Sequence, residues 1–239
     1  PSVSTDPARR DAVRACAEWL SAKLSGMGLA SALRETPGHP VVVAATPRDP
    51  RKRTVLLYGH YDVQPEDPAD LWTSPPFEPA IRGGRVFARG ATDNKGQILA
   101  HVLGVEQALA KDGELPVNVI FVIEGEEEIG SDHLAPFLEA CQAEFAPDVV
   151  ALSDTGMIAP GHPTLTYGLR GICAFELRVT GPATDLHSGT FGGAVANPAA
   201  ALAALVASFH GPDGRIAVPG FYDKVRALEP WEREMWASL

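Results

Sequence analysis

The sequence predicts an α/β protein whose first part is built on a parallel sheet. Three apolar runs of strand length alternate with two helical patterns. The runs cover residues 55–58, 117–123 and 148–152, and the helical patterns cover residues 97–111 and 131–145. Strands that alternate with helices are joined by right-handed crossovers, and the strands of such a unit are therefore parallel.

Each apolar run ends in polar side chains that suit metal binding. The first run leads into Gly59-His60-Tyr61-Asp62, the second into Glu124-Gly125-Glu126-Glu127-Glu128, and the third into Ser153-Asp154. Ligands bind beyond the carboxyl ends of parallel strands. A polar strand end explains any one of these segments, but its recurrence at three strand ends favours a shared site.

His60 and Asp62 form a pattern of their own within the first of these segments. Residues two apart in a strand project to the same side, so the imidazole and the carboxylate are expected to be neighbours. A metal-binding imidazole usually donates its second N–H to a carboxylate. We therefore expect Asp62 to orient His60.

The elements around the core strands follow from local signals. Asp6 and the proline after it predict the start of an amphipathic helix that ends near Gly26. Residues 31–45 predict two strands around a Pro-Gly turn, and residues 80–89 predict a hairpin around Gly-Gly.

Two helix starts are open to a local interpretation. Ser131 is expected to be the N-cap of the second helical pattern. Asp93 lies just before the first helical pattern, where a helix N-cap would explain it without any functional role.

The pattern of hydrophobicity changes at Tyr167. From there apolar residues alternate with polar ones, which predicts a sheet with one exposed face and hence a second, smaller α+β domain. We expect domains at residues 1–167 and 168–239. The second contains a strand at residues 172–180, a flexible loop at 185–193, an alanine-rich helix capped by Asn197, a short strand at 216–218 and a helix after Pro230.

Composition limits the class of protein. The 239 residues carry a formal charge of −10, with 45% hydrophobic and 21% charged residues, as in globular proteins. This charge argues against nucleic acid or an anionic membrane as a partner. Three widely spaced cysteines and the lack of a signal peptide or membrane-spanning run predict a cytoplasmic protein.

Histidine, aspartate and glutamate without cysteine suit a hard or borderline divalent cation, zinc or manganese. Of the adjacent acids Glu127 and Glu128, one can coordinate while the other takes a proton from bound water. Metal binding lowers the pKa of that water to about 7, which equips a site to hydrolyse an amide, an ester or a phosphoester. More than three ligand groups favour two cations about 3.5–4 Å apart.

Six motifs, taken in order, resemble a known family. They are YGHYDVQP, RGATDNKG, EGEEEIGS, SD ending at Asp154, YGLRG and DLHSGTFGG. Together they are similar to the zinc peptidase family of carnosine dipeptidase, acetylornithine deacetylase, succinyl-diaminopimelate desuccinylase and glutamate carboxypeptidase. The likeness covers nearly the whole chain and is closest to the dipeptidase branch.

The resemblance implies a fold and a set of residue roles. The fold is a three-layer α/β/α catalytic domain with an inserted smaller α+β (ferredoxin-like) lid and dimerisation domain, both incomplete in this chain. The implied ligands of two divalent cations are His60, Asp93, Glu128 and Asp154, with Asp93 bridging the pair. Asp62 is implied to support His60, Glu127 to be the general base, and His187 to reach into the partner subunit's site and stabilise the oxyanion. The glycines on either side of the three glutamates favour Glu127 and Glu128 over Glu126.

The resemblance also implies a function. It predicts a homodimeric, dinuclear-metal dipeptidase that cleaves dipeptides or short peptides. The alternatives are an N-acyl-amino-acid deacylase or carboxypeptidase with the same machinery, a metal-binding but catalytically silent fragment, and, with less support, a phosphoesterase. A further metal ligand and the residues that bind the substrate carboxylate are expected after Leu239, so the chain is expected to be an N-terminal portion.

Overall fold

The computed structural model describes residues 1–238. The chain divides into two compact units, Pro1–Tyr167 and Gly168–Leu239. Within residues 1–238, no helix is both long enough and apolar enough to cross a membrane.

The first unit contains the predicted alternation of strands and helices. Its helices are α1 (Arg10–Gly26), α2 (Lys95–Asp112) and α3 (Leu134–Phe145). Its strands are β1 (Ala30–Arg34), β2 (Val41–Ala45), β3 (Thr54–His60), β4 (Ala80–Arg82), β5 (Arg85–Phe87), β6 (Asn118–Glu124) and β7 (Val149–Leu152).

Five of these strands form one mixed sheet in the order β1-β2-β6-β3-β7. Strand β3 lies parallel to both β6 and β7, which confirms the parallel core expected from the three apolar runs. Strands β1 and β2 are antiparallel because a short turn joins them, and β2 also pairs antiparallel with β6. In this register His60 is opposite Glu124, so the polar segments that follow both strands leave the sheet at the same edge.

Both faces of the sheet are covered by helices. Every residue of β6 is buried, as a near-continuous apolar run predicts for a strand with two covered faces. Phe121 and Ile123 pack in the cluster that contains α1 and α2, whereas Ile120 and Val122 pack in the cluster that contains α3. Alternate side chains of one strand therefore contribute to two separate cores.

The first helix and the hairpin agree with their local signals. Asp6 Oδ1 accepts a hydrogen bond of 2.9 Å from the backbone N–H of Ala8, at a 3₁₀ turn that leads into α1. Strands β4 and β5 form the hairpin, and Gly83 and Gly84 between them have φ of 56° and 76°. Two successive positive φ values are the requirement of a tight hairpin turn, which glycine meets without strain.

The expectation that Ser131 caps α3 is wrong. The helix begins at Leu134 with His133 at its N-terminal boundary, and Ser131 has φ of 55°. The Ser131 hydroxyl donates instead to Glu124 Oε1, at 2.9 Å. An N-cap oxygen accepts from the first N–H groups of its helix, whereas Ser131 lies before the N-cap position of α3 and directs its hydroxyl at the carboxylate of Glu124.

The second unit contains helices α4 (Ser188–Phe191), α5 (Pro198–Ala207) and α6 (Pro230–Ala237). Asn197 caps α5 as expected, since its Oδ1 accepts from the N–H of Ala199 at 2.8 Å. The loop expected at residues 185–193 contains the short helix α4, which its glycine content did not indicate.

The strand expected at residues 172–180 is wrong. Within the described part of the second unit, the only β pairing is an isolated bridge between His210 and Ile216, so the short strand at 216–218 is not formed either. A strand needs a hydrogen-bonded neighbour, and alternating hydrophobicity does not supply one. The ferredoxin-like form of this domain stays a prediction.

Candidate metal centre

His60 is fully buried at the carboxyl end of β3, and its two ring nitrogens face different groups. Nδ1 lies 3.2 Å from the backbone oxygen of Asp62 and 3.3 Å from Asp62 Oδ1. Nε2 lies 3.1 Å from Asp93 Oδ1 and 3.5 Å from Asp154 Oδ2. One nitrogen is therefore held by Asp62, while the other is directed at carboxylates from two other segments.

Among the described residues, two groups of side chains bring their donor atoms within 4.8 Å of one another. His60, Asp93 and Asp154 form the first group, and His60, Glu127 and Glu128 form the second. The four predicted ligands therefore do not form a single group, because Glu128 is grouped with Glu127 and not with Asp93. The bridging role of Asp93 stays a prediction.

The donor set fits divalent cations. It consists of one imidazole and carboxylate oxygens, the ligands that zinc and manganese accept. Exposure increases from His60, fully buried, through Asp154 at 29% and Glu127 at 37% to Asp93 at 62%. Four carboxylates around one buried imidazole repel one another, and a cation would offset that repulsion.

The electrostatics of His60 and Glu127 reflect the same crowding. Burial opposes a charged imidazole, but the carboxylates of Asp62, Asp154 and Glu127 outweigh it and raise the pKa of His60 to about 9. Burial, followed by the neighbouring carboxylates, raises the pKa of Glu127 above its usual value, although the His60 side chain opposes this shift. A glutamate with a raised pKa is better suited to accept and return a proton near neutral pH.

Asp62 connects the two groups of possible ligands. It is fully buried, and its Oδ2 accepts hydrogen bonds from Ser4 Oγ at 2.7 Å and from the backbone N–H of Glu128 at 3.1 Å. Its Oδ1 faces His60 and has no hydrogen bond of good geometry to any residue in 1–238. The sequence analysis found Asp62 but not Ser4, because nothing local relates residue 4 to residue 62.

Asn94 is a second residue that the sequence analysis did not select. Its side chain is buried, and Nδ2 donates to Asp154 Oδ1 at 3.0 Å and to the backbone oxygen of Ser153 at 3.3 Å. The residue at the N-cap position of α2 is Asn94, and the carboxylate of Asp93 contacts His60 instead of capping the helix. The peptide bond between Asp93 and Asn94 is cis. In the sequence, the one feature that could have indicated a role for Asn94 is its position next to Asp93 in the motif RGATDNKG.

Glu126 is separated from its two neighbours by its contacts. It is buried, and its carboxylate accepts from His133 Nδ1 at 2.8 Å and from the backbone N–H of His39 at 3.2 Å. Glu128 accepts instead from Gln64 Nε2, at 2.7 Å. Glu126 therefore supports the fold around residues 38–39, whereas Glu127 and Glu128 lie beside His60.

His187 belongs to the second unit. It is exposed at the N-terminal boundary of α4, where its Nδ1 accepts from the N–H of Gly189 at 3.1 Å. Its predicted action in a partner subunit stays a prediction.

Comparison with known proteins identifies the family. A family model described as Peptidase family M20/M25/M40 matches residues 56–207, which include most of the residues described above. The chain belongs to this peptidase family.

Two relatives of similar sequence are dipeptidases by name. The chain is 37% identical to the Cys-Gly metallodipeptidase dug1 of Schizosaccharomyces pombe, over 100% of this chain and 53% of that protein. It is 43% identical to the Beta-Ala-His dipeptidase of Homo sapiens, over 85% of this chain and 40% of that protein. The chain spans about half the length of the curated relatives it matches.

Solved structures give the same likeness. Human carnosine dipeptidase 1 aligns with a TM-score of 0.75 and 34% identity, over 100% of this chain and 53% of that one. The M20 family metallo-carboxypeptidase Sso-CP2 of Sulfolobus solfataricus aligns with a TM-score of 0.76 and 34% identity, with the same coverage. The mixed α/β sheet of the first unit is thus that of an M20 peptidase catalytic domain.

Proposed function

We propose that the protein containing this chain hydrolyses the amide bond of dipeptides or short peptides at a centre of two divalent cations. The observation that carries this proposal is the position of His60, whose imidazole belongs to both groups of closely spaced donor atoms. The similarity to Cys-Gly and Beta-Ala-His dipeptidases supports a small peptide as the substrate.

The proposed ligands come from both groups. His60, Asp93, Glu128 and Asp154 would hold the two cations, and Asp93 is proposed to contribute to both. Zinc is the proposed metal and manganese the alternative, since both accept this donor set. Cations at such a centre lower the pKa of bound water to about 7 and polarise a carbonyl oxygen.

Glu127 is the proposed general base. Its carboxylate lies 3.9 Å from His60 Nε2 and remains 37% exposed, so a water molecule and a substrate can approach it. Its raised pKa lets it take a proton from water and deliver that proton to the leaving nitrogen. Asp62 acts indirectly, because it faces His60 Nδ1 and accepts from the N–H of Glu128.

The second unit has a separate proposed role. We assign residues 168–239 to a lid and dimerisation domain, in which His187 stabilises the oxyanion in the partner subunit's site. Hydrogen-bond donors to a developing oxyanion contribute about 3–4 kcal/mol in well-studied enzymes. This role requires a homodimer of the full-length protein.

A carboxypeptidase is the second candidate, because the M20 metallo-carboxypeptidase of Sulfolobus solfataricus aligns as well as the dipeptidases do. A panel of dipeptides, longer peptides and N-acyl amino acids separates the two candidates. A dipeptidase cleaves the dipeptides and leaves the longer peptides, and a carboxypeptidase cleaves both.

The decisive variant is Glu127→Gln in the full-length protein. We expect turnover of the best dipeptide to fall by about 10²–10⁴-fold, as loss of a general base does, while metal content stays unchanged. Glu126→Gln is the matched control, since Glu126 is adjacent but bonded to His133 and His39, and it should keep activity within about 10-fold.

Two results would contradict this assignment. If Glu126→Gln loses turnover and Glu127→Gln keeps it, the register of the glutamates is wrong. If the unmodified protein binds metal but cleaves no amide, it is a catalytically silent metal-binding protein.

A further inference from the structure

We propose that Ser4 is a positioning residue of the metal centre. Its hydroxyl holds one oxygen of Asp62, so that the other oxygen faces His60 while Asp62 also supports the backbone of Glu128. This inference rests on the proposed metal site and assigns a function to a segment far from every motif that defines it.

The segment of residues 2–4 is built into the first unit. Val3 and Val63 form a parallel β bridge, and the N–H of Val63 donates to the backbone oxygen of Ser2 at 3.0 Å. Ser2 and Val3 are 0% and 1% exposed. Residues 2–4 thus lie beside residues 61–63, directly after β3.

The two serines contact different parts of the chain that follows β3. Ser2 Oγ donates to the backbone oxygen of Tyr61 at 2.6 Å, and Ser4 Oγ donates to Asp62 Oδ2 at 2.7 Å. One hydroxyl therefore supports the main chain, and the other supports a carboxylate that faces a predicted metal ligand.

The hydrogen bonds of Asp62 explain why the Ser4 hydroxyl matters. Oδ2 receives two donors, Ser4 Oγ and the Glu128 N–H, whereas Oδ1 lies 3.3 Å from His60 Nδ1. Without Ser4, only the longer bond from Glu128 holds Oδ2, and the carboxylate can rotate about its Cβ–Cγ bond. Rotation would change the position of Oδ1 relative to the imidazole and with it the direction of Nε2.

The expected effect falls on metal binding before it falls on chemistry. Groups that orient a metal ligand typically change metal affinity by about 10–100-fold when they are removed. We expect Ser4→Ala to fall near the lower end of that range, because the Glu128 N–H remains on Oδ2.

The experiment uses the full-length protein, stripped of metal and titrated with Zn²⁺ against a chromophoric chelator. Unfolding in urea is measured for each variant in the metal-free form. Ser2→Ala is the matched control, since it removes a nearby buried hydroxyl that is bonded only to a main-chain oxygen. The absorption spectrum of bound Co²⁺ reports ligand geometry independently of affinity.

We expect Ser4→Ala to lower Zn²⁺ affinity about 10-fold and to alter the Co²⁺ spectrum, while Ser2→Ala changes affinity by less than about 2-fold at similar stability. Ser4→Thr keeps the hydroxyl and should restore affinity. If Ser4→Ala does not fold, Ser4→Cys, a weaker donor of similar size, should show a smaller loss of the same kind.

Equal affinity losses in the two alanine variants, or no loss in Ser4→Ala, would overturn the inference. If Ser4→Ala does not fold and Ser4→Cys is measured in its place, an unchanged Zn²⁺ affinity in Ser4→Cys would also overturn the inference. An unmodified protein that binds no Zn²⁺ would overturn the proposed metal site itself, so the two failures can be told apart.

Discussion

Gly59 is the residue at which the packing of α2 against β3 can be tested most directly. It immediately precedes His60, and a Cβ at this position would lie 2.6 Å from Ile98 Cγ1 and 2.8 Å from Asn94 Oδ1. Non-bonded carbon atoms pack at about 3.5–4.0 Å, so the first contact would be about 1 Å too short. The close approach of the helix to the strand therefore requires glycine at this position.

The change is Gly59→Ala, and its magnitude follows from two opposing terms. Overpacking a close-packed core costs about 1–3 kcal/mol. If there were no clash, alanine would stabilise the fold by about 0.4–1 kcal/mol, because it reduces the conformational entropy of the unfolded chain. We expect a net loss of roughly 1–2 kcal/mol in the free energy of unfolding. We also expect weaker metal binding, because the new methyl group would displace the side chain of Asn94, which donates a hydrogen bond to the predicted ligand Asp154.

Gly104→Ala is the matched control. Gly104 lies within α2, where an added Cβ would meet no atom of the described chain beyond its own helix turns within 4 Å. Alanine in a helix interior is about 0.5–1 kcal/mol better than glycine, so this variant should be more stable than the parent. The assay is urea unfolding of the full-length protein without metal, compared through midpoint and slope.

A double-mutant cycle with Ile98→Ala makes the test specific. Ile98→Ala alone should cost about 2–5 kcal/mol as a cavity. Combined with Gly59→Ala, it should cost less than the sum of the two single changes, because the new methyl group occupies part of the space. If Gly59→Ala is as stable as the parent, or if the two changes are additive, the described approach of α2 to β3 is wrong.

Two further predictions concern the metal centre. The pKa of His60 is raised from 6.5 to about 9 in the metal-free fold, so its contribution to stability is complete below pH 6.5 and is lost as the pH rises through 9. With a chelator present, we expect the free energy of unfolding to fall on the order of 2 kcal/mol between pH 6.5 and 9. The His60→Asn variant should not show this fall. An equal fall in that variant would mean that other groups cause the pH dependence. Asn94→Ala should lower Zn²⁺ affinity by about 10–100-fold, since Asp154 Oδ1 loses its donor, and an unchanged affinity in a chelator titration would show that Asp154 needs no such support.

Local patterns were sufficient for the elements whose stabilising contacts are close in sequence. Asn197 was recognised as a helix cap because its partners are two and three residues away. Gly83-Gly84 was recognised as a turn because the required φ values depend on those residues alone. Ser131 was misjudged because Glu124, an acceptor in another element, provides its hydrogen bond. Residues 172–180 were misjudged because alternation does not determine whether a neighbouring strand is present.

The amino-acid sequence by itself determined the three apolar strands, their parallel direction and the chemical character of the residues at their ends. These follow from hydrophobic periodicity and from residue type, which are properties of short segments. Only the tertiary structure decided that Ser4 meets Asp62, that Asn94 meets Asp154, and that Glu126 is bonded away from His60. Such pairs depend on how segments far apart in the chain pack together, and no local pattern records that packing.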